Sequence, residues 1–84
     1  MRMYELSDTI ELMTSEDYKE RFKAEYWQTK IRYDRLHNMI VKYEAGTLNF
    51  EPNCPFETFK KQASAIGNYL YVLEVRAEIE GIIL

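Results

Sequence analysis

A single cysteine, Cys54, in a chain of 84 residues has no partner for an intrachain disulfide, which fits a reducing compartment. Histidine is as scarce. His37 stands alone, well separated from Cys54, and the pair makes no metal-ligand spacing. The three glycines are isolated at positions 46, 67 and 81, which excludes a glycine-rich loop of the kind that cradles phosphates. The longest apolar run, Tyr69-Leu70-Tyr71-Val72-Leu73, falls far short of the ~20 residues of a membrane-spanning helix. The opening Met1-Arg2-Met3-Tyr4-Glu5 lacks the apolar core of a secretion signal. No metal, no cofactor and no membrane association are expected, and the expected location is the cytoplasm.

Catalytic groupings are missing as well. Cys54 before Pro55 would sit near a helix N-terminus, where a thiolate is favoured, but no dedicated base accompanies it. Glu74 and Glu78 share a helix face, a spacing too common to mark acid–base chemistry. The sequence reads as a protein that binds or assembles, not as an enzyme.

What is present is a composition that folds. Apolar residues make up 46% and aromatic residues 14% of the chain, well away from a disordered composition, while the length allows one domain with a thin core. Net charge is −3, from 11 basic and 14 acidic residues mixed along the chain, so no basic field for general DNA binding arises. Opposite charges three or four apart, Asp17 with Arg21, Glu20 with Lys23 and Glu57 with Lys61, read as the solvated face of helices.

Periodicity sets the fold class. Tyr18, Phe22, Tyr26, Thr29, Tyr33, Leu36, Ile40 and Tyr43 are spaced by fours and threes and wind one stripe along a helix. Thr14 or Ser15 is its expected cap, and Gly46 its left-handed end, with Lys42 favourably placed in the last turn. A connection over 46–54 follows, carrying Leu48 and Phe50, which are expected to tuck back onto the helices. Pro55 suits the first position of a second helix, with Asn53 or Cys54 as cap. Its stripe is Phe56, Phe59, Ala63, Ile66, Leu70, Leu73 and Ala77, ending near Gly81.

The expectation is an all-α protein, an antiparallel two-helix hairpin of about 15–45 and 55–81 in one domain, preceded by an arm or short helix over 1–14 marked by Tyr4, Leu6, Ile10 and Met13. One partner helix cannot cover everything apolar. Tyr69, Val72 and Ile79, the tail Ile82-Ile83-Leu84, and Trp27 and Ile31 off the first stripe all call for cover, which predicts a homo-oligomer. Ala63 and Gly67 form a small-residue strip where another backbone has room to approach.

Aromatic and cationic residues recur together: Tyr26, Lys30, Tyr33 and Arg35 in the first helix, then Lys60, Lys61, Tyr69, Tyr71 and Arg76 in the second. Flat faces beside cations are what the base and phosphate of a nucleotide require, although tyrosines on a helical stripe also serve as core or interface residues.

Ser15-Glu16-Asp17-Tyr18-Lys19-Glu20-Arg21-Phe22, Tyr43-Glu44-Ala45-Gly46-Thr47-Leu48, the Cys54-Pro55 pair and Tyr69-Leu70-Tyr71-Val72-Leu73-Glu74-Val75-Arg76 resemble the small helical phage and prophage proteins first grouped with crAss-like phage. The likeness spans roughly 15–81 and implies a phage setting and a hairpin, with no activity attached. The layout is also similar to the hairpin of phage sponge proteins that counter CBASS and Thoeris defence by sequestering cyclic nucleotide signals. Gln62, Gly67, Tyr69 and Arg76 are the matching positions, while Ile66 and Gly67 stand where that pattern has a Met.

The resemblance implies an anti-defence protein that binds a cyclic nucleotide at subunit junctions in the infected bacterial cell. Tyr69, Arg76, Lys60, Lys61 and Gln62 are its candidate site residues, with Tyr26 and Lys30 from the first helix. The alternative is a protein–protein adaptor or inhibitor that docks an exposed helix face on a host or phage protein, a host defence protein among them.

Overall fold

The computed structural model describes residues 5–84, so Met1 to Tyr4, including one of the apolar markers of the arm, lie outside the described residues. A 3-10 turn at Leu6–Asp8 leads into α1 (Thr9–Met13). Two long helices follow, α2 (Tyr18–Ala45) and α3 (Phe56–Glu80). Among the described residues there is no strand.

Residues 5–14 form a packed element. Asp8 Oδ2 accepts from the Glu5 amide at 2.8 Å, and the Thr9 hydroxyl donates to the Leu6 carbonyl at 2.6 Å. Gln28 Nε2 then reaches from α2 to Thr9 Oγ1 at 3.1 Å and to the Met13 sulfur at 3.3 Å. Ala24, Gln28 and Ile31 share one face of α2 by their i, i+4, i+7 spacing, and Thr9, Ala24 and Ile31 are all buried. This corrects one argument for assembly: Ile31 has no exposed surface left, and Trp27 packs against the main core.

The caps correct the sequence reading by a residue or two. Asp17, and neither Thr14 nor Ser15, caps α2, accepting from the Lys19 amide at 2.9 Å. Ser15 instead accepts from the Asp17 amide through its hydroxyl and from Arg21 Nη1 through its carbonyl, so Asp17 and Arg21 serve the helix start separately. Pro55 itself occupies the cap of α3, without a side-chain bond from Asn53 or Cys54. Both helices end on a left-handed glycine, Gly46 at φ 77° and Gly81 at φ 71°, where a β-carbon would be strained.

The seam between α2 and α3 follows the expected stripe on α3. Leu70, Leu73 and Ala77 are buried, and Phe56, Phe59, Ala63 and Ile66 are half-buried. On α2, Phe22 and Tyr26 are buried, whereas Tyr18 and Tyr43 stay 46% and 44% exposed because they stand at the two ends. The buried cluster is thus concentrated where α2 begins and α3 finishes. At the other end the Tyr43 and Phe56 rings stack with centroids 4.0 Å apart.

The tail is a second correction. After Gly81, the Ile82 amide bonds the Ala77 carbonyl at 2.9 Å and turns the chain back, so that Ile82 joins the core and Leu84 packs against it. Only Ile83 of the three remains exposed.

Candidate functional site

The seven candidate residues fall on different sides of the hairpin. Gln62, Tyr69 and Arg76 are seven apart and lie along one flank of α3. Gln62 is exposed and Tyr69 is 42% exposed. Arg76 is engaged within the chain. Its Nη2 donates to the Tyr18 hydroxyl at 2.6 Å, its Nε sits 3.3 Å from Glu80 Oε2, and its guanidinium carbon lies 4.9 Å from the centroid of the Phe22 ring.

Tyr26 is in the seam, too buried to offer a face to a ligand. Its hydroxyl donates to Glu74 Oε2 at 2.8 Å, and its pKa is pushed well above a phenol's ordinary value. Burial is the largest cause, followed by the hydrogen bond and charge of Glu74 and then Asp34. Glu74 stands two residues from Arg76, about 200° round the helix, so Tyr26 and Arg76 do not share a surface. Lys30 pairs with Asp34 at 3.2 Å and lies 5.7 Å from the Tyr33 ring centroid. Lys60 sits 3.6 Å from Glu44 Oε1 and 5.6 Å from the Phe56 centroid, and Lys61 is exposed on the next position round.

Three of the four candidate cations therefore already have an acidic partner. Arg35 and Lys42 are among the described cations that have none. Arg35, Asn38, Met39 and Lys42 follow an i, i+3, i+4, i+7 pattern on the face of α2 turned away from the seam. The Gly46 turn, fixed by the Thr47 amide donating to the Lys42 carbonyl at 2.9 Å, sends the connection back along that face. Leu48 is half-buried there, while Phe50, expected to tuck in, is 56% exposed. Together these segments enclose a cleft of about 420 Å³ that also takes in Asn49 and contains no carboxylate.

Of this group only Arg35 stood in the aromatic and cationic set read from the sequence. The legible signal was the helical spacing of Arg35, Asn38, Met39 and Lys42, followed by two apolar residues in the connection that the seam does not use. A second cavity, of about 520 Å³, lies against Glu74, Glu78 and the Ile82-Ile83-Leu84 tail, and its charge is acidic.

The outer face of α3 leaves apolar surface open. Tyr71 is 66%, Val72 51%, Val75 39% and Ile79 78% exposed. No helix of the described residues is long and apolar enough to cross a membrane. No group of three His, Cys, Asp or Glu side chains among them is placed to hold a metal ion.

The model of the Sequestin family matches residues 16–79, from the start of α2 to the last turn of α3, close to the stretch that carries the sequence resemblance. No curated protein and no solved structure matches the chain.

Proposed function

Because the chain belongs to the Sequestin family, we propose that it acts by sequestration, holding a cyclic nucleotide-type immune signal without altering it and so disarming a bacterial defence on behalf of a phage. The family match over residues 16–79 carries this reading. The family's name denotes retention of something, and the surface of the hairpin offers both exposed aromatic residues, such as Phe50, Tyr69 and Tyr71, and exposed cations, the two contacts a nucleotide needs. The setting is the cytoplasm of the infected or lysogenic host.

Gln62, Tyr69 and Arg76 form the wall that the sequence resemblance points to. Binding there requires Arg76 to exchange its bonds to Tyr18 and Glu80 for phosphate oxygens. Copies of the chain pair through the outer face of α3, where Tyr69, Val72, Val75 and Ile79 are exposed. An antiparallel pairing there sets Lys60 and Lys61 of one copy near Glu78 and Glu80 of the other, opposite in charge.

The test is the melting temperature of the full chain across cyclic dinucleotides, cyclic trinucleotides and cyclic ADP-ribose isomers, followed by recovery of the bound compound. A ligand that binds only the native state raises the apparent stability and is recovered chemically intact. A flat panel removes the reading. It would leave the adaptor, for which the exposed Tyr71, Val72 and Ile79 speak, to be tested by capture of a defence protein.

A further inference from the structure

The cleft between α2 and the connection has a composition that the seam and the caps do not explain. Arg35 and Lys42 face it two helical turns apart, about 10 Å along the axis. Neither side chain has an acidic partner among the described residues, in a chain whose acids outnumber its bases by 14 to 11. Phe50 keeps 56% of its surface exposed at the same cleft. Asn38 and Asn49 add amide donors and acceptors.

We propose that this cleft is the nucleotide site, with Arg35 and Lys42 taking the phosphate groups, Phe50 stacking on a base, and Asn38 and Asn49 bonding its edge. The inference rests on the sequestration reading and replaces the Gln62, Tyr69 and Arg76 wall as the place of binding. The physical difference lies in what binding must first undo. At Arg76 a phosphate competes with Glu80 and with a 2.6 Å bond to Tyr18. At Arg35 and Lys42 it displaces no carboxylate, so a charge-assisted bond there is gained without an ion pair lost. A ligand with two phosphate groups meets one cation with each.

The cleft is also built in advance. The left-handed turn at Gly46 and the bonds from the Thr47 amide and hydroxyl to the Lys42 carbonyl, at 2.9 Å and 3.4 Å, set where the connection runs. A ligand arriving there does not have to order that turn first.

Amide shifts of the full chain, followed by NMR on addition of cyclic di-AMP and, separately, cyclic ADP-ribose, test the proposal. The expected result is a saturable change over residues 35–42 and 48–50 with either probe, weakened by added salt. An Arg35→Gln, Lys42→Gln double variant should then lose roughly tenfold or more in affinity while its helicity and melting temperature hold, since both side chains lie on the surface and Gln suits a helix. Phe50→Ala should weaken binding and Phe50→Trp preserve it.

Saturable binding with shifts confined to residues 62–76, and unchanged affinity in the double variant, would overturn the cleft and leave sequestration standing. Absence of binding by both probes and by the whole melting panel overturns both.

Discussion

Tyr26 and Glu74, forty-eight residues apart in the chain, meet across the seam with the phenol donating to the carboxylate at 2.8 Å. Tyr26 is buried on α2 and Glu74 lies at the edge of α3, so the bond ties the two long helices beside the core. Removing the hydroxyl in Tyr26→Phe should cost about 1–2 kcal/mol, read as a lower urea midpoint at neutral pH.

The same bond predicts a pH dependence. The folded state holds the Tyr26 proton more tightly than the unfolded chain does, because burial and the nearby carboxylates oppose a phenolate. Its stabilisation is therefore complete below the ordinary value of 10.0 and is lost as pH rises beyond it. Unfolding free energies measured from pH 8 to 11 should show the gap between the native protein and Tyr26→Phe closing in the upper part of that range. Parallel curves would mean that the hydroxyl is not protected.

Arg76 should behave as a structural residue. With Tyr18, Glu80 and the Phe22 ring around it, Arg76→Ala is expected to lower stability by about 1 kcal/mol, a modest figure because the side chain is 44% exposed and its charge is screened. Arg76→Lys should recover little, since an ammonium cannot reproduce a planar group that bonds and stacks at once. Denaturant titration of the two variants gives the answer, and full recovery by Lys would reduce the arrangement to charge alone.

Gly67 is a fourth test. A β-carbon there would lie 3.6 Å from Tyr33 Cε1, an ordinary contact, so the neighbour at the small-residue strip is a ring of the same chain. Gly67→Ala should stabilise α3 by about 0.5–1 kcal/mol, whereas Gly67→Leu should displace Tyr33 and destabilise it. If Ala proved strongly destabilising, a second copy's backbone would have to pass closer than Tyr33, as the sequence pattern had led one to expect.

Assembly through α3 is expected to survive changes at the cleft and to fail at Ile79. Ile79 is 78% exposed in the single chain, so Ile79→Lys should leave helicity unchanged while reducing the mass by light scattering towards the 10.1 kDa of one chain. A native protein that already scatters as 10.1 kDa at micromolar concentration would dispose of the pairing.

The α3 stripe from Phe56 to Ala77, the left-handed end at Gly46 and the stop near Gly81 were readable from the sequence because each depends on the chain's local geometry. A helix returns to the same face every three or four residues, and only glycine turns left-handed at no steric cost. The exact caps were less legible, since Thr14, Ser15 and Asp17 all offer an oxygen and the choice depends on how the preceding segment approaches.

Tertiary structure alone decided the fate of the individual cations. Arg76 is paired by Tyr18, fifty-eight residues away, and Lys60 by Glu44 across the connection, partners that no period within one helix can reveal. It also decided that α1 packs on α2 and that the connection returns along Arg35 and Lys42. The paths of α1 and the connection depend on turns and on bonds such as Gln28 to Thr9 and Thr47 to Lys42, which repeat nowhere in the sequence and exist only once the helices have placed their ends.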